Sequence, residues 1–156
     1  MIPNDDIHSA LCLLPERMDT PEARVMLLAI GLQESRFRHR RQMPVGPARG
    51  FWQFEQGGGV AGVLRHEATR KHAQTLCTAC QVEPLPRAVW EAIEHDDTLA
   101  AGFARLLLWS DPRPLPKIGD AAGGWDLYTR TWRPGKPHPQ TWPALYAQAV
   151  DIVTKP

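Results

Sequence analysis

Residues Val25 to Leu32, VMLLAIGL, form an unbroken apolar stretch inside PEARVMLLAIGLQE, and no other feature of the chain limits its fold so strongly. Val25, Leu28, Ala29 and Leu32 recur at helical spacing, and Met26, Leu27 and Ile30 add a second apolar flank. A helix that is apolar on both flanks is buried over most of its surface, so other elements must pack around it. Its start is specified as well. Asp19 or Thr20 can cap it, Pro21 fits its first turn, and Glu22 stands three residues after Asp19 in a capping-box arrangement.

The remaining periodicity is also helical. It predicts helices from about Asp5 to Leu14, from Val60 towards His72, from Arg87 to Glu94, from Asp97 to Trp109 behind a cap at Asp96 or Asp97, from Asp120 to Trp132, and from Trp142 to Val153. The helix carrying Leu99, Phe103, Leu106 and Leu107 is expected to be central to the packing. Arg38 to Gly59, with Pro44, Pro47 and repeated glycines, reads as loop or short strand, and DPRPLPK after Ser110 reads as a connector. With 156 residues and 43% hydrophobic content, the expectation is one mainly α domain over residues 1–156.

Glu34 is the first residue that packing does not explain. It closes the apolar helix at the end where the macrodipole is negative, a poor place for a carboxylate if stability alone mattered. An apolar wall and that dipole end both disfavour its charged form and raise its pKa, which is how a glutamic acid is kept protonated for general acid work. The competing reading is a helix-end glutamate in water or paired with Arg36 or Arg38. The residues that follow bear on the choice: Glu34-Ser35-x-Phe37, then Pro44, Val45, Gly46, Ala48, Gly50, Phe51, Trp52 and Gln53.

That order resembles the lysozyme-like lytic transglycosylases, the superfamily of soluble lytic transglycosylases and goose-type lysozymes, with a bacteriophage member the best fit. Their active-site segment runs E-S-x-aromatic and then S-P-x-G-A-x-G-L-M-Q; the likeness covers about a quarter of the chain. It implies a lysozyme-like helical domain with a short hairpin or irregular loop over the cleft, and cleavage of the bond between N-acetylmuramic acid and N-acetylglucosamine in peptidoglycan. It implies Glu34 as the single catalytic acid and base and Gln53 as a cleft residue, with Phe37, Gly46, Gly50 and Trp52 as supports or walls around the substrate. The family also brings a tyrosine to the acid from a later helix, which here would be Tyr128. Met43 stands where the family has serine, one residue is inserted near Pro47 and Ala48, and Phe51 and Trp52 replace Leu and Met, which would add stacking surface. Two alternatives stay open at this point: a hydrolytic muramidase, for which Glu55 is the nearest second carboxylate, and a non-catalytic virion or wall-binding protein with the same fold.

Composition narrows the partners. A net charge of +1 lacks the basic excess of a nucleic-acid binder, although Arg36, Arg38, His39, Arg40 and Arg41 form a local cluster that an anionic polymer would attract or water would solvate. No nucleic acid, cofactor or metal is expected. Cys77 and Cys80 sit three apart in a helical segment, where free cysteines behave as small hydrophobes. The amino-terminal stretch has no basic leader, and no apolar run is long enough to span a membrane, so membrane insertion is not expected. A chain made in the cytoplasm without a signal would reach the bacterial cell wall inside a virus particle or through a lesion made by a lysis partner.

Overall fold

The computed structural model describes residues 1–156 and is mainly α. Eight α-helices follow one another: α1 (Asn4–Cys12), α2 (Pro21–Ser35), α3 (Ala61–Arg65), α4 (Arg70–Ala79), α5 (Pro86–Ile93), α6 (Asp97–Trp109), α7 (Ala121–Trp132) and α8 (Trp142–Thr154). A 3₁₀ turn, Glu16–Met18, precedes α2, and a π-helical turn, Gln56–Val60, precedes α3. None of these helices is long and apolar enough to cross a membrane.

α2 is buried along its length, every residue from Val25 to Leu32 included, as its two apolar flanks require. It lies along α8 and touches α6. α6 is the other internal helix: Leu99 to Leu106 and Leu108 are all buried, and α1, α2, α3, α4, α5 and α7 pack against it. One hydrophobic cluster runs through residues of all these layers, from Ile7 in α1 to Ala149 in α8. Asp96 caps α6 through the Leu99 amide (2.9 Å), and Asp120 caps α7 through the Gly123 amide (2.9 Å).

At the start of α2 only one of the two possible caps is used. Thr20 Oγ1 accepts from the Ala23 amide at 3.1 Å. Asp19 is held away in a two-pronged ion pair with Arg24 (2.8 and 2.9 Å), so the capping box through Glu22 does not form. A second difference concerns the helix expected from Val60 to His72, which is broken into α3 and α4. Thr69 Oγ1 donates to the Val63 carbonyl (2.7 Å) and His66 Nδ1 accepts from the Ala68 amide (3.0 Å), side-chain bonds that turn the backbone at residues 66–69.

The stretch between α2 and the π turn is an irregular loop with only the beginnings of a hairpin. Arg41 bridges Arg49 and Arg49 bridges Phe54, each antiparallel and each isolated. The loop is fastened by its arginines rather than by a ladder. Arg40 makes a two-pronged bond to Asp97 (2.6 and 2.9 Å), and Arg41 and Arg49 converge on Glu94 at 2.7 and 3.1 Å. Burial pushes the Glu94 carboxyl up, but Arg41, His95 and Arg49 outweigh it and hold the group below its ordinary range.

Candidate active site around Glu34

α2 ends in two successive left-handed residues, Arg36 (φ 57°) and Phe37 (φ 53°). They reverse the chain so that the Phe37 ring falls back onto the helix, directly over Gly31, where any Cβ would collide with it. That close approach explains a glycine inside an otherwise apolar helix. Arg36 does not pair with Glu34; its guanidinium donates to the Leu32 carbonyl at 2.6 Å and covers the end of its own helix.

Ser35 ties the glycine-aromatic loop to this end of α2. Its buried hydroxyl donates to the Phe51 carbonyl (2.7 Å) and accepts from the Phe37 amide (3.1 Å). The loop then makes a tight turn in which the Gln53 amide donates to the Gly50 carbonyl at 3.0 Å. Gly50 has φ +74°, and a Cβ there would stand 2.6 Å from Ile93 Cγ2, so both backbone and packing demand glycine. The side chain of Gln53, itself left-handed at φ 53°, donates to the same Gly50 carbonyl (2.9 Å).

Tyr128 reaches Glu34 from α7. Its hydroxyl donates to Glu34 Oε2 at 2.5 Å, and its ring is stacked on Trp142 of α8, with centroids 5.3 Å apart and planes within 3°. The other carboxylate oxygen has no partner in the protein. It is not sealed from solvent either, because Arg105 Nη1 is the one enclosed side-chain polar atom without a hydrogen bond. Burial raises the Glu34 pKa and the Tyr128 hydrogen bond lowers it, with burial the larger effect. No charged neighbour contributes. Tyr128 is pushed well above the ordinary tyrosine range, by burial first and then by the Glu34 charge, so its hydroxyl stays a donor.

The other expected site residues divide. Gln53 lines an open groove of about 620 Å³, together with Glu55, the triplet Gly57–Gly59, Arg65 and Trp132. Neither Glu34 nor Tyr128 is among the lining residues; the Tyr128 ring lies 6.4 Å from that of Trp132, which is. Trp132 in turn donates its indole N–H to the Trp52 carbonyl (2.9 Å), fixing α7 to the loop beside Gln53. Trp52, expected as a support or wall with added stacking surface, is a support alone. It is 0% exposed, with its indole N–H on the Leu27 carbonyl at 2.8 Å, and it has no face to offer a ligand. Phe37, 2% exposed and packed edge-on against Phe51 and Trp52, is likewise a support. Gly46 lies in the outer loop, where its carbonyl accepts from Arg49, away from the groove lining.

The basic cluster changes meaning in three dimensions. Arg36, Arg40 and Arg41 are occupied by a helix end, Asp97 and Glu94, which leaves Arg38 and His39 at the surface. The cations that do line the groove are Arg65, Arg130 and Arg133, with Arg130 paired to Asp111 at 2.7 Å. Nothing in their local sequence marked Arg65 or Arg130, since the π turn and the end of α7 bring them together only in the fold. Cys77 is fully buried in α4, and burial raises its thiol pKa to about 11, as for an inert core cysteine. No family model, curated protein or solved structure matches the chain.

Proposed function

We propose that this chain is a peptidoglycan-cleaving enzyme, a lytic transglycosylase in which Glu34 is both acid and base. The observation that carries the reading is the condition of Glu34: half-buried, raised in pKa, held at Oε2 by Tyr128 and free at Oε1. Protonated, it would give its proton to the glycosidic oxygen as the C1–O bond of N-acetylmuramic acid breaks. As carboxylate it would then take the proton of the muramic C6 hydroxyl while O6 bonds to C1, which closes a 1,6-anhydro ring and regenerates the acid without water. Tyr128 favours the ionised state and burial, the larger effect, opposes it.

A hydrolase of the usual kind needs a second carboxylate, about 5–5.5 Å away as nucleophile or ~6.5–9.5 Å away to activate water. No carboxylate influences the Glu34 pKa, and Glu55 lies exposed in the groove. That favours the transglycosylase over the muramidase. The groove, with Gln53 and Trp132 along it and Arg65 and Arg133 at its edge, suits a sugar chain that also carries carboxylates.

Mass analysis of purified peptidoglycan after incubation with the protein tests the proposal. Muropeptides ending in 1,6-anhydro-N-acetylmuramic acid are expected. Reducing ends would mean hydrolysis, and no cleavage of several peptidoglycan types by folded protein would leave a wall-binding protein as the better reading.

A further inference from the structure

A second cavity, of about 590 Å³, lies between the 3₁₀ turn, the first turn of α2, the end of α6 and the proline-rich connector. Asp111 and Pro112 also line the groove beside Gln53, whereas Glu34, Tyr128 and Gln53 take no part in this lining. At its wall stands Arg105, 2% exposed and only partly satisfied. Nε donates to the Met18 carbonyl at 2.8 Å, Nη1 is enclosed with no partner, and Nη2 has none in the protein. The carboxylate that acts on it, Asp19, is already held at both oxygens by Arg24. A guanidinium enclosed in this way is destabilising unless something pairs with it. Burial accordingly depresses its pKa to about 10.

The surroundings repeat the same sign. Arg17, Arg113 and Lys117 also line the cavity, and of its two carboxylates Asp111 is neutralised by Arg130, leaving Glu22 alone. Arg17 and Arg105 are steadied on the Trp109 ring, with guanidinium carbons 5.5 and 5.4 Å from its centroid. Leu108, Leu115 and two prolines complete an apolar wall. An inorganic ion would fill a small part of this volume. The connector DPRPLPK supplies one whole side, and of its residues only Asp111 and Pro112 also line the groove beside Gln53.

We propose that this cavity is a binding site for a dianionic oxyanion carried on an apolar ring, a phosphomonoester of an aromatic or alicyclic molecule. Arg105 meets the oxyanion through Nη2, the one of its nitrogens that is neither bonded nor enclosed, Arg113 and Lys117 close on it from the mouth, and the ring lies against Leu108 and Leu115.

Calorimetric titration of the full chain at low ionic strength tests the site with three probes: phenyl phosphate, inorganic phosphate and benzoate. Phenyl phosphate should bind one to one and more tightly than either of the others, one lacking the ring and the other the second charge. Arg105→Met keeps the volume of the side chain and should weaken binding at least ~10-fold, the loss expected for a charged hydrogen-bonding partner. Should that variant fail to fold, the double variant Arg113→Ala, Lys117→Ala, at exposed positions, should weaken it by a similar factor. Absence of saturable binding by all three probes, or binding unchanged in a folded variant, would overturn the site. Benzoate binding as tightly as phenyl phosphate would overturn the dianion.

Discussion

The Tyr128 hydroxyl lies 2.5 Å from Glu34 Oε2, a bond between side chains 94 positions apart on α7 and α2. It is the only hydrogen bond the Glu34 carboxylate makes within the protein, and it acts against burial in setting the Glu34 pKa. Tyr128→Phe therefore leaves burial unopposed. The variant should show a pH–rate profile whose basic-form limb moves to higher pH, with activity at neutral pH reduced by ~10-fold, as for loss of one charged hydrogen bond. Superimposable wild-type and variant profiles would show that the contact does not tune the acid.

Stability should respond to Glu34 in the opposite sense from activity. Its pKa in the folded state is raised, so its contribution to stability is fully present below the unfolded-state pKa and is lost as pH rises through the folded one. Above the unfolded-state pKa the folded wild type must either keep a proton that the unfolded chain releases or carry a charge that burial disfavours. Glu34→Gln, whose amide oxygen can still accept from Tyr128, should be at least as stable as wild type at pH 7 and lose that advantage near pH 4. Thermal unfolding at the two pH values reads this directly.

Ser35 offers a test of how the loop is held. Ser35→Ala leaves the buried Phe51 carbonyl without the hydroxyl hydrogen and the Phe37 amide without its acceptor. A loss of ~1–3 kcal/mol in urea unfolding is expected for such a buried pair. A change within error would mean that water replaces the hydroxyl at no cost.

Much of this architecture is legible in the residues. The apolar run of α2, the cap at Asp96, and the apolar stripes of α6 and α8 are local signals, and each element forms within a residue or two of where the signals put it. What was not legible depends on partners distant in the chain. Arg40 and Arg41 look like a free cationic patch until Asp97 and Glu94, more than 50 positions away, are folded against them. Trp52 reads as added stacking surface, and only its bond to the Leu27 carbonyl of α2 shows why it is buried instead. Glu34 stands out by its place at a helix end, yet no spacing records that it lies off the groove lining.

Glu94 should give the fold an acid-sensitive fastening. Its pKa is depressed by Arg41, His95 and Arg49 against burial, so its contribution is present above the unfolded-state pKa and is lost as pH falls through the folded one. Glu94→Gln should destabilise the protein at pH 7 and flatten the loss of stability on acidification. A variant with wild-type acid sensitivity would assign that sensitivity to other carboxylates, such as Asp19 or Asp111, which are also depressed by their arginine partners.

The most direct measurement is the rate at which Glu34→Gln cleaves purified peptidoglycan beside wild type, with circular dichroism and thermal unfolding of both. A single acid and base predicts a folded variant whose rate falls by at least ~10²–10⁴-fold, the contribution of a general acid–base group. Glu55→Gln, exposed in the groove and without influence on Glu34, should retain most of the activity. Equal cleavage by wild type and Glu34→Gln would contradict the account.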